Sequence, residues 1–342
     1  MLVVRTDRIG DVVLTLPMVS VLRLCFPGSR ISMLLRFSTR ELVEGFTGLD
    51  RIISYDELGG QKRFRTILAE LRAQRFDLVI VSHPTFRIAL LMFFAGIPVR
   101  VGSGYRWYSV LFNKRVYEHR KTAEKHEAEY NISLLGAIGC SHRGVPEVTL
   151  TVPDHAKGAA RAELKRLGIL PSERFIVLHP GSGGSARDWS ADNFGDLAQR
   201  LVKEGHTVVV TGTQAERGLV ENVVKRSGNS ARPACGRLSL KELAAFLGFA
   251  ELLVSNSTGP LHIAAAVGTP VVAFYPPIRE CSPRRWGPLC QKKAVFAADN
   301  ALCPRCKGGP CQGNDCMDQI KVEDVMQAAR TLLVSEEEPS RS

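Results

Sequence analysis

The stretch "VVRTDRIGDVVLTLP", Val3–Pro17, sets one apolar run against another, with Arg5, Asp7, Arg8 and Asp11 crowded between them around Gly10. The first run reads as a buried strand, and the spacing of apolar residues over 13–25 reads as a helix. A strand that turns directly into a helix is the first half of a βαβ unit. Gly10 is expected to permit the tight turn, and Asp11 to fall at the first helical turn, where a carboxylate accepts from free backbone amides. One acidic residue suffices for a cap. Four charges in a single turn point to chemistry, with Asp11 as a general base.

Outward from this turn the same alternation continues. Strands are expected at 2–5, 30–36, 50–55, 77–82 and 99–103, and again at 174–180, 206–212, 251–256 and 270–275. Helical spacing occupies 38–47, 62–74, 191–204, 215–227, 239–248 and a final 321–334. Such alternation predicts an α/β chain of parallel sheets covered by helices on both faces. The series appears twice, with a less regular stretch between. The expectation is therefore two doubly wound domains, 1–160 and 161–342, joined by a linker around 150–172. Sheets of this kind bind ligands beyond the carboxyl ends of their strands, so two of them would face a central cleft.

In the second half, "HPGSGGSARDWSADNF" (179–194) follows a strand directly. Gly181, Ser182, Gly183 and Gly184 let backbone amides approach an anion, Arg187 adds a fixed positive charge, and Ser190 is suited to cap the next helix. The G-x-G-x-x-A spacing of Gly181, Gly183 and Ala186 would suit a dinucleotide, but no acidic residue ends the following strand. Glu216, early in the next helix, fits a ribose contact or ordinary charge matching at a helix start. "LLVSNSTGPLHIAAAVGTPVV" (252–272) places Ser257, Thr258, Gly259 and His262 where a strand gives way to a helix N-terminus, a ready phosphate site.

Composition narrows the function. The chain has 342 residues, 45% of them hydrophobic and 23% charged, which is enough to bury a sizeable core. Its net charge of +11 implies an acidic partner. The longest apolar run, "IALLMFFAGIPV" (88–99), is shorter than the roughly 20 residues a spanning helix needs. With Arg5 so near the start no secretory signal is read, and a cytoplasmic protein is expected. Four of the nine cysteines, Cys303, Cys306, Cys311 and Cys316, form C-x₂-C-x₄-C-x₄-C. That spacing suits a structural zinc or packed reduced thiols, and leaves both open.

Taken together, "RTDRIGDVVLTLP", "KHEAEYN" (125–131), "HPGSGGSARDW", "VSNSTGPLHIAAAVGTPVV" and the cysteine-rich tail resemble glycosyltransferase family 9, the ADP-heptose:lipopolysaccharide heptosyltransferases. The resemblance runs over nearly the whole chain. It implies a GT-B fold of two Rossmann-like domains, the first binding acceptor and the second binding a sugar nucleotide, with inverting transfer and no required metal. Asp11 matches the family's base, Arg187 a donor-diphosphate contact, Glu216 the acid near the ribose, and Thr258, Gly259 and His262 the diphosphate loop. Ser257 departs from the family, which usually has Asp there. Arg5 and Arg8 are expected to hold an anionic lipopolysaccharide-core acceptor. The basic, aromatic stretches 106–115 and 119–125 suit such an acceptor at the inner face of the cytoplasmic membrane. A monomer that binds no nucleic acid is expected. An epimerase-like GT-B protein, or a nucleotide- or glycan-binding relative, is the alternative.

Overall fold

The computed structural model describes all residues except 59, 185, 186, 300–315 and 335–342. It divides into two compact units, Met1–Thr151 and Val152–Ser342. Counting only the strands of the two large sheets, the first unit holds β1 (Leu2–Val4), β2 (Ser32–Leu35), β3 (Arg51–Ser54), β4 (Leu78–Val81), β5 (Val99–Ser103) and β6 (Lys114–Val116). They are ordered β3-β2-β1-β4-β5-β6, and every neighbouring pair is parallel. The second unit holds β7 (Phe175–His179), β8 (Thr207–Gly212), β9 (Arg232–Cys235), β10 (Leu252–Asn256), β11 (Val271–Tyr275) and β12 (Lys293–Ala297). Their order, β9-β8-β7-β10-β11-β12, is the same, again all parallel. This is the doubly wound order of a Rossmann-like sheet, formed twice.

The central strands are largely apolar because helices cover both faces, with His179, Ser255 and Asn256 as buried polar exceptions at their carboxyl ends. In β1, β4, β7 and β10 every residue is buried. One core gathers Leu2, Val4, Val79, Val81, Ile88 and Met92, and another gathers Ile176, Leu178, Trp189, Phe194, Val254 and Phe274. The boundary at Thr151 lies before the expected 160/161, and the expected linker is largely a helix, Asp154–Arg166. That helix packs on the helix Leu240–Gly248 and so belongs to the second unit. In the first unit a disulfide joins Cys25, at the end of the helix Leu16–Cys25, to Cys140. Cys303, Cys306 and Cys311 lie outside the described residues; Cys316 is buried in the second core.

Candidate functional site

The opening turn begins at the carboxyl end of β1. Helix α1 (Ile9–Val13) starts with Arg8 at its N-cap in extended backbone, and Asp11 lies in its first turn. Gly10 sits inside this helix and is not a left-handed turn residue, so the turn is made without one. Thr15 then opens α2 (Leu16–Cys25), its hydroxyl donating to the Asp11 carbonyl at 2.8 Å.

Arg5 is the centre of the arrangement, and it is 1% exposed. Its Nε donates to Asp7 at 2.7 Å and its Nη1 to Glu127 at 3.1 Å and Asn131 at 3.2 Å, while Nη2 pairs with Asp11. The expectation that Arg5 contacts an acceptor is therefore corrected: a buried guanidinium engaged on every side orients the carboxylates around it. Arg8, by contrast, is exposed. Glu127 and Asn131 come from α3 (Glu127–Ser133), which Arg120 also holds, donating from Nη2 to the Asn131 Oδ1 at 3.2 Å. The Asn131 amide donates to the Leu14 carbonyl at 3.0 Å and so ties α3 to the base-bearing segment. At the carboxyl end of β4, His83 Nδ1 lies 3.0 Å from Asp7.

These neighbours separate the two aspartates. Burial would raise Asp7, but Arg5 and the hydrogen bond from His83 outweigh it and hold the carboxyl at about 2. Burial also raises Asp11; there Arg5 is opposed by the negative charges of Asp7 and Glu127, and the net direction is upward. Two carboxylates four residues apart thus differ in basicity, and Asp11 is the more basic of the two.

In the second unit Asn256 holds Pro180 and Trp189 together. Its amide donates to the Pro180 carbonyl at 2.6 Å, and its Oδ1 accepts from the Trp189 backbone N–H at 2.8 Å. Trp189, 1% exposed, anchors the loop in the core, its indole donating to the Ile320 carbonyl at 3.0 Å. Ser190 caps the following helix as expected, accepting from the Asn193 amide. Gly181 is not open to solvent: a Cβ there would collide with the Glu216 carboxylate. Glu216 accepts from both the backbone N–H and the hydroxyl of Thr213 at 2.8 Å. Burial would raise its pKa, but these bonds, the nearby His179 and the Gly183 amide hold it below the usual range. Burial pushes His179 down to about 4, against the pull of Glu216.

Ser257 follows β10, and its side chain is hydrogen-bonded to the buried Tyr275, whose hydroxyl donates to the Trp286 carbonyl at 2.7 Å. Thr258 is the N-cap of the helix Gly259–Ala266 and makes no side-chain capping bond, and Pro260 in the first turn carries no N–H. His262 is buried in the same first turn, and Arg187 is half-buried on the loop after β7. Two residues of interest lacked a local sequence signal. Glu127 lay within "KHEAEYN" without a role. Asp188 accepts from the backbone N–H and hydroxyl of Ser182, and burial raises it to about 6. Among the described residues no cluster of three or more metal-ligating side chains is present.

Two Rossmann-like units, one carrying the Arg5–Asp7–Asp11 cluster and the other a glycine-rich loop after its first strand, are the architecture of GT-B glycosyltransferases. Residues 64–315 match the family model described as glycosyltransferase family 9 (heptosyltransferase), and the chain belongs to that family. A Haemophilus influenzae protein known only by the general class of glycosyltransferase is 30% identical over 297 residues, 84% of this chain and 85% of that one. The lipopolysaccharide heptosyltransferase 3 of Escherichia coli K12 is 25% identical over 343 residues, 97% of each chain. Among solved structures, a family 9 glycosyl transferase from Veillonella parvula superposes with a TM-score of 0.85 at 24% identity, over 98% of this chain and 97% of that one.

Proposed function

We propose that this enzyme moves a heptose from a nucleoside-diphosphate sugar, ADP-heptose by the family resemblance, to the inner core of lipopolysaccharide, inverting the anomeric centre, with Asp11 as general base. The observation that carries the reading is the Asp11 carboxylate, raised in basicity by burial and by two neighbouring carboxylates and held in place by Arg5. An acceptor hydroxyl loses its proton to Asp11 as its oxygen forms the bond to the anomeric carbon. The bond from that carbon to the diphosphate breaks on the opposite face, and the nucleoside diphosphate leaves with the electron pair. Arg187 and the amides at Thr258–Gly259 take up the charge gathering on it. These groups supply the positive charge that a divalent ion would otherwise bring, so no metal is assigned a step.

Arg8, exposed at the start of α1, meets the anionic acceptor. Glu216 contacts the donor ribose through the oxygen turned toward Gly181. Ser257, bonded to Tyr275, offers the donor sugar a hydroxyl where the family usually offers a carboxylate. Among the described residues no helix is long and apolar enough to cross a membrane. We place the enzyme as a monomer in the cytoplasm, peripheral to the cytoplasmic membrane.

The test is transfer by purified protein to truncated lipopolysaccharide from a panel of nucleoside-diphosphate sugars that includes ADP-heptose. Transfer from ADP-heptose that disappears in Asp11→Asn, with donor binding kept, is the expected result. Transfer from a different sugar nucleotide would overturn the donor assignment. Unimpaired transfer by the variant would overturn the base.

A further inference from the structure

We propose that the first unit carries a membrane-docking face, built by α4 (Phe86–Phe94) and the short 3₁₀ segment Trp107–Leu111, whose partner is an anionic lipid bilayer. The proposal rests on the reading above, in which the acceptor is borne on a lipid, and says which surface meets it.

Among the described residues twelve large apolar side chains stand exposed, and seven of them fall between Phe86 and Tyr117. Trp107 is 74% exposed and Val110 69%. In a 3₁₀ helix residues three apart eclipse, so these two share one outward face. Phe86, Leu90 and Phe93 follow at i, i+4 and i+7 on α4, one stripe of that helix. The pieces are joined. The Phe86 and Trp107 rings lie 4.8 Å apart. Arg100 donates from Nε to the Leu111 carbonyl at 2.8 Å, and its guanidinium sits 5.4 Å from the Phe93 ring centre. Phe93 in turn meets Phe94 edge-on at 5.7 Å. The result is a continuous apolar surface, too extended to be the scattered exposure every protein shows.

The charge around it selects the partner. Residues 84–117 contain Arg87, Arg100, Arg106, Lys114 and Arg115 and not one Asp or Glu. Arg106, Lys114 and Arg115 are exposed beside the aromatic residues. A protein partner would be met with mixed charge, whereas basic residues ringing exposed Trp, Phe and Val match an anionic bilayer: the rings settle at headgroup depth and each cation near the surface adds attraction. The surface follows directly on β4 and β5, whose carboxyl ends include His83 beside Asp7. Docking here would bring a lipid-borne acceptor to the edge of the sheet that carries the base.

The test is co-sedimentation of purified enzyme with vesicles of phosphatidylglycerol and phosphatidylethanolamine, beside vesicles of phosphatidylcholine. We expect binding to the anionic vesicles that weakens with added salt. In Trp107→Ser/Val110→Ser it should fall by about tenfold or more, given the apolar area returned to water. Lys114→Glu/Arg115→Glu should abolish the preference for anionic lipid. The circular dichroism spectrum and melting midpoint of the first variant, measured in parallel, should match the wild type and report that it is folded. Vesicle binding is read without substrate, so it stands or falls separately from the proposed reaction. Full vesicle binding by the apolar variant would overturn the proposal. So would a wild-type protein that ignores vesicles, and a dimer in solution that the same substitutions dissociate would then assign the face to self-association.

Discussion

Replacing Arg5 by Met keeps much of the side chain's bulk and removes its charge. In the native protein this one buried guanidinium faces Asp7 at 2.7 Å, Glu127 at 3.1 Å and Asp11. At about 3 Å and an effective dielectric constant of about 20, each such pair attracts by about 5–6 kcal/mol before desolvation is set against it. Removing one partner of a buried pair costs about 3–5 kcal/mol net, because the stranded charges must be neutralised or hydrated. Against a total stability of about 5–15 kcal/mol, that loss should lower the melting midpoint by roughly 6–20 °C. The pH dependence distinguishes charge from packing. In the wild type Asp7 is depressed from 3.8 to about 2, so its contribution is present above 3.8 and lost only as pH falls toward 2. In Arg5→Met the carboxylates lose their counter-charge, their folded-state pKa values rise, and their ionisation opposes folding as pH rises. The gap between wild type and variant is therefore widest near neutrality and narrows toward about pH 4. Thermal unfolding followed by circular dichroism across that range measures it. A gap that does not change with pH would refute the argument and make Arg5 a packing residue.

Three further outcomes follow from the site. Asp11→Asn should lower transfer by about 10²- to 10⁴-fold and leave the melting midpoint near neutral pH equal or higher, because the ionised carboxylate is disfavoured in the fold; a midpoint that falls in step with the rate would make Asp11 structural. Asp188, raised to about 6, is neutral below that pH and negative above it, so nucleotide affinity measured by calorimetry should weaken as pH rises through 6. Asp188→Asn should flatten that profile, and a slope that survives the substitution would assign it elsewhere. His179 is depressed from 6.5 to about 4, so the stability it lends is full above 6.5 and lost as pH falls toward 4. Acid unfolding of the second unit, read from Trp189 fluorescence, should shift to lower pH in His179→Asn; an unmoved transition would count against this account.

The sequence made the central strands and one edge, β3, legible and left the other three edges obscure, for a physical reason. A strand buried on both faces must be largely apolar, as the runs "LVIV" (78–81) and "LLV" (252–254) are. An edge strand has no such requirement: β6 begins with Lys114 and Arg115, β9 carries Pro233, and β12 alternates exposed and partly buried positions. The helix Asp154–Arg166 was obscured because its buried face is mainly Ala156, Ala160 and Leu164 amid charged residues. Within the site, the crowding of Arg5, Asp7 and Asp11 showed in a few consecutive residues. Their dependence on Glu127 and Asn131 did not, since those partners lie more than 120 residues away and nothing local marks the pairing. The same distance explains why Arg5 was read as facing a ligand: a charged residue at a strand end looks exposed until its distant counter-charge is known.

The repeated strand order has a consequence for how the enzyme could have acquired two unlike tasks. In each sheet the chain leaves one central strand toward one edge and resumes on its neighbour toward the other, β1 beside β4 and β7 beside β10. The backbone parts at these places, a topological switch point. In one copy the segments after these strands carry Asp7, Asp11 and His83; in the other they carry Ser182, Thr258 and Gly259. One backbone solution therefore carries a buried acidic cluster in the first half and a glycine- and hydroxyl-rich turn in the second. The division of labour resides in a handful of side chains at equivalent positions, where substitution can change chemistry without disturbing either sheet.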